Sequence, residues 1–235
     1  EKYGAKTILA EVTGAVLEAS PKVLHTSEGD FQGRAVILAT GAYPRELGLP
    51  DEGALRGRGV AYCATCDGMM YRGKVVAVNG GGNTAVEDAL YLSRLCAKVY
   101  LIHRRDQLRA SAVYRKALDE QGVEILWNSR VTALRHEAKL TGVELEDTKT
   151  GAKRELACDG LFVAIGRVPD TALFAGQVDM DEAGYLKADE TCSTSLPGVF
   201  AVGDVRTKAV RQVVTAAADG ANAAHFAEEY LMNNV

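Results

Sequence analysis

From Lys74 to Cys96 the chain passes from an apolar, valine-rich run, KVVAVN, through Gly80, Gly81 and Gly82 into a segment of helical periodicity. Nothing else in the sequence narrows the fold as far. A valine-rich run without polar alternation is the pattern of a strand buried on both faces. Beyond the glycines, Ala85, Val86, Ala89 and Leu90 make one apolar stripe, with Glu87, Asp88 and Arg94 elsewhere. This predicts a helix from about Asn83 to Cys96. Strand, glycine turn and helix open a βαβ unit, and Gly80, Gly82 and Ala85 fit the G-x-G-x-x-G/A spacing of a dinucleotide site. Gly80 would allow the tight turn, Gly82 a close approach of backbone to a pyrophosphate, and Ala85 tight helix packing. The helix N-terminus would face the negative charge.

The following residues select the nucleotide. KVYLIH reads as a second strand, ASAVYRKALDEQG as a second helix stopped by Gly122, and DGLFVAIG as another buried strand. Between these helical and buried segments, alternation such as Val143 and Leu145 against Glu144 and Glu146 predicts two or three half-buried strands. An NAD site carries an acid roughly 20 residues after the glycine loop, for the ribose hydroxyls. Here the second strand ends in His103, Arg104 and Arg105, with Arg109 a turn later. Guanidiniums suit a 2′-phosphate, which they can grip bidentately. The expected cofactor is NADPH.

The flanking segments differ. Residues 1–42 read as short strands without a helix, closing on RAVILAT and Gly41. ATGA, with Thr40 and Gly41, and GVFAVGDV, with Gly203 and Asp204, are apolar strands ending in glycine outside the NADPH unit. A carboxylate at such a strand end can accept from polyol hydroxyls. A helix from about Gln212 to Leu231, preceded by Arg211, would aim its positive end there. A flavin nucleotide fits that description. Linkers are expected at 43–46 and 167–170, each with a proline. A net charge of -4 argues against nucleic acid or an anionic membrane as partner, since both require a basic surface. No apolar run is long enough to span a membrane. Five cysteines, of which only Cys63 and Cys66 are close together while Cys96, Cys158 and Cys192 are scattered, do not form a secreted disulfide framework, so a cytoplasmic location is expected.

Cys63 and Cys66, in AYCATCDGMM, stand three positions apart with Asp67 directly after. By themselves they could be half a metal site, a structural disulfide or a redox pair. CATCDG, GGGNTAVEDALYLS, HRRDQLRA, LFVAIG and TSLPGVFAVGDV followed by RQ occur here in the order found in low-molecular-weight thioredoxin reductases. The chain resembles that family over essentially all of its 235 residues.

The resemblance implies an α/β chain of two Rossmann-like domains. The FAD domain is discontinuous, at 1–46 and 171–235, and the NADPH domain is inserted at 47–170. It implies electron transfer from NADPH through FAD and the Cys63–Cys66 pair to thioredoxin, and a homodimer in the full-length form. Carried over residue by residue, it makes Cys63 and Cys66 the redox disulfide, with Cys66 facing the flavin and Asp67 the nearby acid. Gly80, Gly82, Asn83, Thr84, Ala85, His103, Arg104, Arg105, Arg109, Ile165 and Gly166 fall to NADPH. Thr40, Gly41, Gly203, Asp204, Arg211 and Gln212 fall to FAD. The sequence departs from the family in two ways: Asn79 stands where an apolar residue is usual, and the strand, glycine loop and helix that open the family are not within residues 1–235. The FAD domain is therefore expected to be incomplete, with the chain alone binding NADPH, retaining little or no FAD, tending to self-associate and not turning over thioredoxin.

A zinc site would need two further ligands at short spacing, and neither the isolated Cys96, Cys158 and Cys192 nor His25, His103, His136 and His225 supply them; no metal is expected. A structural disulfide does not suit a reducing compartment. A reversible dithiol remains, with Asp67 moving the proton as thiol and thiolate exchange roles. Met69 and Met70 beside it are either core residues or a landing surface for a partner protein. Two rival readings are the flavoprotein subunit of an alkyl hydroperoxide reductase and a non-catalytic NADPH-binding fragment.

Overall fold

A computed structural model describes residues 4–110 and 112–234, residue 112 by its backbone alone. The chain divides into two compact units. Pro44–Arg167 forms one; the residues up to Tyr43 and those from Val168 on form the other.

The first stretch of the outer unit holds β1 (Val12–Val16), β2 (Lys22–Thr26) and β3 (Gly29–Gly33), paired antiparallel in sequence order. After β4 (Val36–Leu38) comes β5 (Ala42–Pro44), where the chain passes into the inner unit.

Along the inner unit follow β6 (Val60–Ala61), α1 (Ala64–Asp67), β7 (Val75–Gly80), α2 (Asn83–Ser93), β8 (Lys98–Ile102), α3 (Ala112–Glu120) and β9 (Glu124–Leu126). Then come β10 (Ser129–His136), β11 (Leu140–Asp147), β12 (Lys153–Ala157) and β13 (Gly160–Ala164). Five of these strands form a parallel sheet in the order β6-β13-β7-β8-β9. Val76 and Val78 of β7 enter a core with Val86, Ala89 and Leu92 of α2. Ala77 enters the opposite core with Val143 and Leu145 of β11. One face of the sheet is thus covered by helices and the other by the antiparallel β10-β11-β12 layer. Burial on both faces is why β7 reads as an unbroken apolar run, while β11, with one face in a core, alternates.

The chain returns through β14 (Arg167–Pro169), which pairs with β5. Residues 170–198 are mostly irregular, with one short 3₁₀ turn at Ala172–Phe174. Next come β15 (Val199–Ala201) and α4 (Val213–Asn233). β15 pairs in parallel with β4. Its Val199 and Ala201 pack toward Leu17, Leu38 and Leu186, and Phe200 toward Ala223 and Ala227 of α4.

Boundaries shift from the sequence expectation at three places. α2 ends at Ser93, because the amides of Leu95 and Cys96 both turn back onto the Leu92 carbonyl. α4 starts at Val213, with Gln212 as its N-cap in a reciprocal capping box with Thr215. The CATC segment is itself helical, as the single turn α1. No helix among the described residues is long and apolar enough to cross a membrane.

Candidate functional site

Cys63 and Cys66 form a disulfide across α1. Cys63 is the N-cap, and its sulfur accepts the Cys66 amide at 3.2 Å, with the Thr65 hydroxyl 3.4 Å away. Cys63 is half-buried and Cys66 exposed. Asp67, half-buried, closes the turn, and its amide donates to the Cys63 carbonyl. Gly68 then packs under Tyr91 and Leu92 of α2, where a Cβ would lie 3.0–3.1 Å from those side chains. The redox turn therefore sits on the same helix that the glycine loop begins. Met69 and Met70 are 57% and 60% exposed, which places both on the surface.

The other cysteines are chemically quiet. Burial pushes Cys158 up to about 12, helped by Asp159, and pushes Cys96 up to about 11. Burial also raises Cys192, which is fully buried. A thiol that stays protonated is neither nucleophile nor metal ligand at neutral pH.

The carboxyl ends of β13, β7 and β8 lie side by side, Ala164 beside Gly80 and Asn79 beside Ile102. Here a cavity of about 380 Å³ is lined by Gly80, Gly81, His103, Arg104, Arg109 and Ile165, and also by Arg45, Asn79, Ser129 and Arg130. The glycines serve three different ends. A Cβ on Gly80 would sit 2.5 Å from the Ala164 carbonyl and from Ala85 Cβ, so this residue lets strand and helix meet. A Cβ on Gly81 would collide with Cε1 and Nδ1 of the His103 ring. A Cβ on Gly82, the N-cap of α2, would meet no protein atom. The fold does not require glycine there, whereas a phosphate approaching the helix N-terminus does. The loop fits a dinucleotide on that ground.

His103 is buried, with Nδ1 3.1 Å from the Gly80 carbonyl and Nε2 2.9 Å from that of Gln107. Burial lowers its pKa against the pull of those two carbonyls. A neutral ring has one N–H and donates to one of them. The imidazole thus pins the glycine loop to the turn after β8. The Arg109 amide also donates to the Gly81 carbonyl at 2.9 Å, folding that turn back over the loop. Arg104 and Arg109 reach the cavity, while Arg105 is exposed and does not line it. Asn83 and Thr84 stand exposed in the first turn of α2. Gly166 lies just past the cavity, against Arg45.

In the outer unit the ends of β4 and β15 emerge together. Gly203 takes φ +72°, a conformation that favours glycine. Its amide donates to Asp219 of α4 at 2.9 Å. Asp219 is buried and also binds Arg206 at 3.0 Å and Lys208 at 2.7 Å. Burial pushes its carboxyl up, but Lys208, the Gly203 amide and Arg206 together pull it below the usual carboxylate range. Sequence reasoning missed this cluster. Asp204 is half-buried beside it, and Arg211 stacks 4.0 Å over Tyr185. The buried Nε of Arg211 has no hydrogen-bond partner, so an acceptor atom on a ligand would satisfy it. Residues of that kind fit the polar part of a flavin nucleotide. Thr40 and Gly41 are tied to Asp170, through the Thr40 hydroxyl on its carbonyl at 2.6 Å and its amide on the Gly41 carbonyl at 3.0 Å.

The model of the pyridine nucleotide-disulphide oxidoreductase family matches residues 2–220. The chain is similar to the thioredoxin reductase of Streptomyces clavuligerus, 48% identical over 98% of this chain and 73% of that one. It is likewise similar to the thioredoxin reductase of Treponema pallidum (strain Nichols), 46% identical over 97% of this chain and 75% of that one. Among solved structures, thioredoxin reductase from Streptococcus pyogenes MGAS5005 superposes with a TM-score of 0.91 at 36% identity, covering 99% of this chain and 76% of that one. The enzyme from Giardia duodenalis gives 0.89 at 37%, covering 97% and 76%.

Proposed function

Because the chain belongs to the pyridine nucleotide-disulphide oxidoreductases, and within them to the thioredoxin reductases, we propose that NADPH occupies the inner-unit cavity and FAD the strand ends of the outer unit. The enzyme is a thioredoxin-disulfide reductase that uses a pyridine nucleotide and a flavin. The observation that carries the assignment of its residues is the Cys63–Cys66 disulfide, built onto the helix that opens at the glycine loop. When bound, the flavin relays two electrons from the nicotinamide to that disulfide. The rest of the chemistry belongs to the chain. Once the bond is open, the Cys66 amide stabilises a Cys63 thiolate. That thiolate attacks one sulfur of the thioredoxin disulfide and expels the other as a thiolate, which takes a proton. Cys66 then attacks Cys63 in the mixed disulfide, re-forming the Cys63–Cys66 bond and releasing the second thioredoxin sulfur. Asp67 gives and takes the proton at the Cys66 sulfur. We take the working form to be a homodimer, which sedimentation checks. Thioredoxin reduction by the purified chain supplied with excess FAD and NADPH tests the whole reading: a rate above that with flavin omitted supports it and overturns the expectation that the chain alone does not turn over thioredoxin.

Two variants separate the cofactor and partner sites. Arg104→Ala removes a charge-assisted contact to the 2′-phosphate worth about 1.5–3 kcal/mol. KM for NADPH should rise by about tenfold or more, while that for NADH stays nearly constant. Equal losses with both would refute the assignment. Met69→Ala with Met70→Ala removes an exposed, shape-adaptable pair next to the disulfide. KM for thioredoxin should rise several-fold, on the order of 1 kcal/mol, with reduction of a small disulfide reagent unchanged. A parallel fall in both activities would count against docking at this pair.

A further inference from the structure

Resting on the reading of the inner-unit cavity as the NADPH site, we infer that Arg45 binds the pyrophosphate of the dinucleotide, from the side opposite Arg104 and Arg109. In sequence Arg45 belongs to a linker, YPRE, and nothing in its type or spacing marks it. In the structure it lines the cavity. Its amide donates to the Gly166 carbonyl at 2.9 Å. Its side chain runs over Gly166, where an added Cβ would lie 3.6 Å from Arg45 Cδ and 3.7 Å from Nε. Among the described residues no carboxylate pairs with its guanidinium, whereas Arg130, in the same cavity, is held by Glu146 at 2.8 Å.

The order of the strands sets the direction. β7 is central at the cavity, with β8 on one side and β13 on the other. Arg104 and Arg109 come from the β8 side, where the adenosine ribose of a dinucleotide lies. Arg45 comes from the β13 side, through its amide bond to Gly166, and lines the same cavity as Gly80 and Ile165. A dinucleotide laid across the three strand ends puts its pyrophosphate on the glycine loop between them. The planar fork of an unpaired arginine matches two phosphate oxygens at once.

The distinction from the 2′-phosphate arginines is measurable. NADP⁺ and adenosine 2′-monophosphate are titrated by calorimetry against the wild type, Arg45→Gln, Arg45→Lys and Arg104→Ala. Arg45→Gln should weaken NADP⁺ about tenfold and leave adenosine 2′-monophosphate unchanged, because that fragment has no pyrophosphate. Arg45→Lys should recover part of the loss, and Arg104→Ala should weaken both ligands. Unaltered NADP⁺ affinity in Arg45→Gln, or an equal loss for both ligands, overturns the inference while leaving the NADPH site standing. Failure of the wild type to bind either ligand overturns the cavity assignment itself, and this inference with it.

Discussion

Replacing Cys63 or Cys66 by serine should abolish NADPH-dependent thioredoxin reduction, a fall on the order of a thousandfold or more. Either sulfur alone leaves no bond to be reduced and no partner to resolve a mixed disulfide. No other cysteine can substitute, since burial keeps Cys96, Cys158 and Cys192 protonated. The cradle does not depend on the sulfurs: α1 and the turn after it pack on α2 through Ala64 and Gly68, which both substitutions leave in place. NADPH oxidation with a small artificial electron acceptor should therefore persist in both variants. Thioredoxin turnover by either serine variant, at even a few per cent of the parent rate, would show that the disulfide is not the exit for electrons.

Asp219→Ala should destabilise the outer unit by about 3–5 kcal/mol, the usual result of stranding buried charge. The carboxylate neutralises Arg206 and Lys208, whose side chains are only 9% and 10% exposed, and it holds the Gly203 amide. Removing it leaves the two cations to main-chain carbonyls, without this carboxylate, and the Gly203 N–H without its acceptor. The pH dependence has a definite sign. The folded pKa of Asp219 lies below the ordinary 3.8, so its contribution is complete above that value and disappears as pH falls through the lower, folded one. Urea denaturation of the wild type and Asp219→Ala should give a constant difference from pH 7 to 5, shrinking only below about pH 4. A difference under about 1 kcal/mol at pH 7 would mean that the cluster is solvated after all.

The sequence carries some of this architecture openly and hides the rest for identifiable reasons. β7 is legible because burial on both faces leaves an unbroken apolar run, and α2 because its stripe recurs at the helical period. The glycine loop is legible as a motif, but the work of each glycine is not. Gly80 proves to be a packing residue and Gly81 a seat for His103, facts that depend on β13 and β8. That His103 also holds the glycine loop is hidden too, because its contacts with the Gly80 and Gln107 carbonyls exist only in the fold. α1 is a single turn, too short to show a period. Asp219 sits in an alanine-rich helix, and its partners Arg206 and Lys208 precede that helix across a turn, so only folding unites them. Arg45 is hidden by its neighbours, because a proline-bearing connector carries no sign of the cavity it borders.

The pairing of β5 with β14 has a consequence for how such a chain is assembled and inherited. The inner unit enters at Pro44 and leaves at Arg167, and those two ends lie on adjacent strands, flanked by the Arg45–Gly166 and Gly41–Asp170 hydrogen bonds. A folded inner unit therefore presents its ends as a short staple to the rest of the chain. β4 and β15, far apart in sequence, are then separated only by residues 39–43 and 168–198, and this shorter loop lowers the closure entropy of their pairing. Folding should proceed from the inside outward. The same geometry makes the inner unit a cassette, one that recombination could insert, exchange or excise at a single point without breaking the host sheet.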